Sequence, residues 1–195
     1  MRRTGIALLA LVVIGFTVTA LALGRAVRSG FSTHEQPSAI EAWVARTVRH
    51  WAVPADLRGA ANPVPLTPEA LASGRAHWAD HCATCHGNDG KGQTTLGQNL
   101  YPRAPDMTLP ATQRLSDGEL FAIIENGIRL TGMPGWGNGT AASGKGSWEL
   151  VHLIRHLPQI TPEEIAEMER LNPKSPAEFE RMQEEEAFLG GNDHH

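Results

Sequence analysis

The sequence is poor in cysteine: its 195 residues include only two, Cys82 and Cys85. A structural zinc site usually needs about four Cys or His ligands, and the chain has no second cysteine pair to complete one. A thioredoxin-type dithiol needs a βαβ context, which the flanking sequence lacks. The shortage of cysteine therefore weighs against both a zinc site and a thiol oxidoreductase.

The chain also lacks a basic region around this cysteine pair. Formal charges sum to about +4 over residues 1–58, about −1 over residues 59–160 and about −7 over residues 161–195. Domains that bind nucleic acid carry a basic face at the binding site. We therefore expect no nucleic-acid partner.

The cysteine pair begins the motif Cys-x-x-Cys-His, which ends at His86 and is followed at once by Gly87. This motif is the attachment signature of c-type haem. The two thiols stand one helical turn apart and can form thioethers to a porphyrin, and the adjacent imidazole can bind the iron. The motif predicts one haem c, held covalently by Cys82 and Cys85. Because both cysteines are then used, no disulfide is available.

A second motif, Thr-Gly-Met-Pro-Gly-Trp, occupies residues 131–136. With the first motif, it makes residues 66–158 resemble a class I cytochrome c domain. The resemblance also covers Gly74, Trp78, Pro105-Asp106-Met107, Asn126-Gly127-Ile128 and Trp148-Glu149-Leu150. It implies an all-α fold in which a few helices surround one covalent haem, with electron transfer as the activity.

The resemblance also implies roles for single residues. His86 corresponds to the proximal iron ligand, and Met133, in the Gly-Met-Pro loop, corresponds to the distal ligand. Met107 is the competing methionine, at a position where the family carries an apolar haem contact. Gly74 is expected to allow a close crossing by the last helix of the domain. A backbone carbonyl within residues 87–114 is expected to accept a hydrogen bond from the second ring nitrogen of His86.

Residues 87–114 have neither a helical nor a strand period and are rich in Gly, Pro, Asn and Asp. A loop this long needs a functional reason, and wrapping a flat apolar cofactor supplies one. We expect Tyr101 and Pro105 to contact the haem, and Trp136, beyond the Gly-Met-Pro loop, to do the same. Arg103 is the candidate for steadying a haem propionate, the alternative being a solvated surface arginine.

Residues 1–24 are the predicted membrane anchor, with an uninterrupted apolar part at residues 6–23. As a helix this part spans about 27 Å, close to the roughly 30 Å hydrocarbon core of a bilayer. A cleaved signal peptide is the alternative, because its apolar region is about 7–15 residues long and residues 20–22, Ala-Leu-Ala, could serve as a cleavage site. The length of this apolar stretch favours a single-pass anchor in the cytoplasmic membrane. The resemblance implies haem attachment outside that membrane, so either alternative places the domain in the periplasm.

Residues 25–63 are predicted to form a tether and an amphipathic helix. Ser38 and Glu41 make a capping box at the start of the helix. The apolar residues on one helical face are Ile40, Trp43, Val44, Val48 and Trp51. The helix could lie at the membrane interface, but packing on the cytochrome domain is the favoured alternative.

The cytochrome domain is assigned to residues 64–160, with Ser147 as the expected cap of its last helix. Residues 161–195 are assigned to an acidic helical extension and a disordered tail. Thr161 and Ser175 each open a capping box in this extension. We expect the extension to pack on its own domain; a docking arm for a partner subunit is the alternative.

Two histidine pairs have the four-residue spacing of a helical metal site. They are His77 with His81, and His152 with His156. No third ligand is evident for either pair, so we expect exposed or partly exposed helix residues.

The implied His/Met ligation predicts a one-electron carrier rather than an enzyme. A thioether ligand raises the reduction potential, and six-coordinate iron leaves no open position for oxygen, peroxide or substrate. The carrier would exchange electrons with redox partner proteins in a respiratory or other periplasmic chain. Two alternatives remain: a subunit of a larger membrane oxidoreductase, and a five-coordinate haem protein that binds or transforms a small ligand.

Overall fold

The computed structural model describes residues 2–29, 32–175, 178, 180 and 181. This part of the chain contains helices and no strand, which confirms the all-α prediction for it. The helices are α1 Arg2–Ser29, α2 Ala39–Ala52, α3 Pro68–His77, α4 Ala83–His86, α5 Thr95–Gln98, α6 Pro110–Gln113, α7 Asp117–Asn126, α8 Ala141–His156 and α9 Pro162–Leu171. A π-helical turn, Trp78–Cys82, joins α3 to α4, and a 3₁₀ turn, Leu157–Gln159, follows α8.

The chain divides into two compact units, Met1–Gln36 and Pro37–His195. The first unit contains α1, in which the segment Gly5–Arg28 has 24 residues and includes an 18-residue window with a mean hydropathy of 2.7. This segment is long and apolar enough to cross a membrane, and a signal sequence near an N-terminus would meet the same criteria.

The second unit is built around the crossing of α3 and α8. A Cβ atom added at Gly74 of α3 would stand 2.6 Å from the carbonyl oxygen of Glu149 in α8. The implied close crossing at Gly74 is therefore confirmed. The largest fully buried side chains around this crossing are Trp78, Leu150, Leu153, Leu157, Met168 and Val151.

Helix α9 contributes Met168 to this core. Arg75 of α3 donates a hydrogen bond to Glu164 of α9 at 3.3 Å, which adds an ion pair between the two helices. The prediction that the acidic extension packs on its own domain is confirmed for α9. The second helix predicted after Ser175 lies largely outside the described residues, and the predicted disordered tail lies wholly outside them.

Helix α8 begins earlier than the sequence suggests. Its N-cap is Thr140, whose side chain accepts a hydrogen bond from the N–H of Ser143. The prediction that Ser147 caps the helix is wrong, because Ser147 lies inside α8, where its buried hydroxyl donates to Glu125 at 2.5 Å. Glycine disfavours helix by about 1 kcal/mol per residue, and two glycines precede Ser147. Packing on the rest of the domain overrides that local preference.

Candidate cofactor site

A cavity that opens to solvent lies in the second unit. Its lining residues come from three segments within residues 81–86, 100–105 and 128–136, and most of them are apolar. Ligand and cofactor sites typically have an apolar lining with a few polar groups. The cavity therefore has the lining of a cofactor site.

Three residues of the Cys-x-x-Cys-His motif line this cavity together: Cys82, Cys85 and His86. The π-helical turn and α4 continue α3 without a break, so the two free thiols stand about one turn apart. The indole Nε1 of Trp78 donates to the carbonyl oxygen of Gly87 at 2.9 Å. The Trp78 ring also lies against the His86 ring, with centroids 5.7 Å apart. These two contacts hold the end of α4 at the cavity wall.

Burial sets the ionisation of these side chains. It lowers the pKa of His86 to about 4, so the imidazole is neutral near neutral pH, the form that binds a metal. Burial raises the pKa of Cys82 to about 12, with a further contribution from the charge of Cys85. Burial also raises the pKa of Cys85. Dithiol oxidoreductases lower the pKa of the attacking cysteine, so the ionisation here is the opposite of what dithiol catalysis requires.

Met133 lines the same cavity from the loop that follows α7. Backbone hydrogen bonds hold this loop against the end of α7: the N–H of Ile128 donates to Met133 at 3.0 Å, and the N–H of Trp136 donates to Ile124 at 3.0 Å. Gly127 has φ +66°, and a Cβ atom there would lie 2.6 Å from the Met133 carbonyl oxygen. The protein itself therefore gives this glycine-rich loop part of its order.

The competing methionine, Met107, has a different environment. It packs against the hydrophobic core, and its N–H donates to the carbonyl oxygen of Gly90 at 2.8 Å. The described lining of the cavity does not include it. This placement favours Met133 as the second iron ligand, a role that stays a prediction.

Of the four other predicted haem contacts, Arg103, Pro105 and Trp136 line the cavity. Tyr101 is absent from the described lining, and its hydroxyl donates to Glu41 of α2 at 2.6 Å. Arg103 is exposed, and the described residues offer its guanidinium no hydrogen bond or ion pair. It is therefore available to an anionic group at the cavity. The roles of all four residues toward a haem stay predictions.

His81 is a cavity residue that the sequence did not suggest. It lines the wall, and its ring meets the ring of Trp136 edge-on with centroids 4.8 Å apart. We expected an exposed helix residue, whereas His81 is only partly exposed and contacts the cavity. The π-helical turn Trp78–Cys82 changes the helical register at this point, and residue types give little warning of such turns. The one available signal was its position directly before Cys82.

The residues present fit a covalently attached haem. Nδ1 of His86 is buried and finds no hydrogen-bond partner among the described residues, so the predicted carbonyl acceptor is not found there. Carbonyls of the neighbouring loop are used otherwise: that of Gly90 accepts from Met107, and that of Gly97 accepts from Ala104. A buried neutral imidazole beside two free thiols and an apolar wall suits haem attachment and iron ligation.

Comparison with known protein families gives a match over part of the chain. Residues 69–154 match the model of the family described as cytochrome c oxidase, cbb3-type, subunit III. No curated protein matches the chain significantly. The matched segment contains all three stretches that line the cavity.

Proposed function

We propose that the protein carries single electrons using one haem c, because residues 69–154 match the model of a c-type cytochrome family. Haem c supplies reversible one-electron oxidation and reduction. The observation that supports the proposal is that Cys82, Cys85, His86 and Met133 all line one cavity within the matched segment.

Each of these side chains has a distinct task in the proposal. Cys82 and Cys85 hold the porphyrin through thioethers, and His86 offers the iron a neutral imidazole. Met133 offers a soft thioether, which favours the ferrous state and raises the reduction potential. If His86 and Met133 both bound the iron, no ligand position would be open for a substrate, and the domain would work as a carrier and not as an enzyme by itself.

The remaining lining residues shape the environment of the cofactor. Arg103 offers a positive charge to a propionate, and Pro105 and Trp136 exclude water from the haem faces. Tyr101 affects the cofactor indirectly, through Leu100 and Pro102, which adjoin it in the sequence and line the cavity. A drier surrounding strengthens the electrostatic effect of each fixed charge on the iron.

The proposal includes a membrane location. Residues 1–24 stay attached as a single-pass anchor, residues 25–63 connect it to the domain at 64–160, and residues 161–195 extend that domain. The haem domain faces the periplasm, and redox partner proteins exchange electrons with it there. Intact mass of the mature protein, with resistance to alkaline carbonate extraction, tests the anchor; a mass lacking α1 would make the protein a soluble periplasmic carrier.

The distal ligand is tested by a far-red absorption spectrum of the oxidised holoprotein. The resemblance to class I cytochromes leads us to expect a weak band from Met-to-ferric-haem charge transfer. The band should be present in the wild type and lost in Met133→Ala. Met107→Ala is the matched control, because it removes the same side chain from the core and should leave the band in place.

Two outcomes would contradict the proposal in different ways. A band that survives in Met133→Ala and disappears in Met107→Ala would transfer the ligand role to Met107. A wild type without the band, with high-spin features instead, would favour a five-coordinate haem that binds small ligands.

A second candidate is the cytochrome subunit of a larger membrane oxidoreductase. The name of the matched family, a cbb3-type oxidase subunit, favours it. In that case the catalytic chemistry belongs to a partner, and this chain delivers electrons to it. Purification in mild detergent distinguishes the two: stoichiometric membrane partners indicate a subunit, and a single chain that retains its haem indicates a freestanding carrier.

A further inference from the structure

Helix α2 lies against the cytochrome domain through polar side chains. Nδ1 of His50 lies 2.7 Å from Glu119 of α7, and Glu41 accepts the hydrogen bond from Tyr101. Arg49 on the same helix is half-buried. Helix α2 therefore packs on the domain, as the favoured prediction stated, but it does so through its polar side. These contacts fix the orientation of the helix.

The apolar face of α2 points away from the domain. Ile40, Trp43, Val44, Val48 and Trp51 recur at helical spacing and are between 45% and 76% exposed. Helix α2 has no buried residue along its whole length. Monomeric soluble proteins rarely expose a contiguous apolar patch of this kind unless it binds something. This surface, the five-residue α2 face, needs a covering partner.

We propose that the α2 face lies in the membrane surface, with its apolar side chains at the boundary between headgroups and acyl chains. The inference rests on the proposed anchor α1. Only residues 30–38 separate the end of α1 from the start of α2, and nine residues reach roughly 30 Å when fully extended. A helix tethered so closely to a membrane-spanning segment is always within reach of the bilayer.

The residue types of α2 match a lipid surface. Two of the five apolar residues on the face are tryptophans, Trp43 and Trp51, near its two ends, and tryptophan is enriched at membrane–water interfaces. Helix α2 carries two arginines, Arg46 and Arg49, against one acidic residue, Glu41, whereas residues 59–195 are net acidic. Anionic headgroups attract basic segments close to a membrane. The net charge of α2 is therefore compatible with an anionic bilayer surface.

This placement would orient the cofactor cavity. Tyr101, which hydrogen-bonds to α2, lies between Leu100 and Pro102, and both of these line the cavity. The side-chain contact of Tyr101 therefore links the cavity rim to α2. Seating α2 on the bilayer would keep that rim near the membrane surface, where a membrane-embedded redox partner can approach it.

Lipid-phase photolabelling of the full-length holoprotein tests the proposal. The protein is reconstituted in vesicles that contain anionic phospholipid and a phospholipid with a diazirine on its acyl chain, and the labelled positions are mapped by mass spectrometry. We expect label on α1 and on the α2 face. The internal control is Leu66, which at 67% exposed matches Trp51 at 68% but lies outside α2, and it should stay unlabelled.

Two variants test whether labelling of α2 depends on its apolar face or only on the presence of the helix. Val44→Glu combined with Val48→Glu places charge in the α2 face and should abolish labelling of α2 while α1 remains labelled. Ala45→Glu combined with Ala52→Glu adds the same charge at two exposed positions off that face and should leave α2 labelled.

Labelling of α1 tests the anchor, and labelling of α2 tests the proposed position of the α2 face. Label on α1 without label on α2 would overturn the proposal and leave the anchor standing; the face would then be covered by protein. Label on α2 without label on α1 would support the proposal and refute the anchor. Label on neither helix would overturn both.

Discussion

Helices α8 and α2 are both amphipathic, yet the apolar face of α8 is buried and that of α2 is exposed. Leu150, Leu153 and Ile154 of α8 are buried against α3 and α7, whereas the apolar side chains of α2 are exposed and its polar side contacts the domain. The periodicity of apolar residues predicts each helix equally well. It does not say what buries the face, because that depends on which surfaces the rest of the chain supplies.

The largest effect is expected from Leu153→Ala in α8. This side chain is 0% exposed, and truncating a buried leucine leaves a cavity that costs about 2–5 kcal/mol. The free energy of unfolding of the holoprotein, measured by urea denaturation, should fall by that amount. A loss below about 1 kcal/mol, the usual effect of a single substitution, would contradict the packing of α8 described here.

Gly74→Ala tests how closely α3 and α8 approach. The added methyl group would stand 2.6 Å from a backbone oxygen, so the helices must separate, and we expect a loss of about 1–3 kcal/mol. The matched control is Gly144→Ala in α8, where a Cβ atom meets nothing within 4 Å. There the gain in helix propensity should stabilise the protein by up to about 1 kcal/mol. Equal effects of the two substitutions on the unfolding free energy would refute the close crossing.

Glu119→Gln tests the contact that holds α2 through its polar side. Burial alone would raise the pKa of Glu119, but hydrogen bonds from the Ser116 backbone and from His50 outweigh burial and hold this pKa below its ordinary value of 4.5. A lowered folded-state pKa stabilises the protein above the ordinary pKa, and this contribution is lost as the pH falls through the folded-state value. The wild type should therefore be more stable than Glu119→Gln above pH 4.5, and the difference should disappear in stronger acid. Parallel stability–pH profiles for the two chains would count against the prediction.

The smallest effect is expected from Val48→Ala on the α2 face. Val48 is 55% exposed, and substitutions at such surface positions usually change stability by about 0.5 kcal/mol or less. The comparison with Leu153→Ala is made by urea denaturation of the same holoprotein preparation. A loss as large as that of the α8 variant would mean that something already covers the α2 face in solution.

Much of the site could be predicted from the sequence because its chemistry is local. Cys82, Cys85 and His86 lie within one helical turn, so their spacing alone places them together. Met133 was implied by the resemblance, and the structure places it on the same cavity. The cavity contact of His81 could not be predicted, because it depends on a π-helical turn that the residue types do not specify.

The outcomes at α8 and α2 share a physical cause. Ser147 looked like a helix cap because local propensity disfavours the glycines before it, but packing extends α8 back to Ala141. The sequence left open whether the apolar face of α2 packs on the domain or lies at the membrane, because hydrophobic burial has no direction and the same stripe suits a protein core or a lipid surface. In both cases the deciding surface lies far away in the chain.

The sequence by itself determined the helical class, the thiols and imidazole that suit a haem, the apolar stretch now in α1, and the amphipathic character of α2 and α8. These features rest on spacing within a few residues, where the geometry of a helix leaves little choice. Only the tertiary structure decided which side of α2 meets the domain, where α8 begins, and which methionine lines the cavity. Those outcomes depend on packing between segments that are distant in the sequence. The free energy of this packing outweighs local preference, and no short stretch of sequence contains the contacts that supply it.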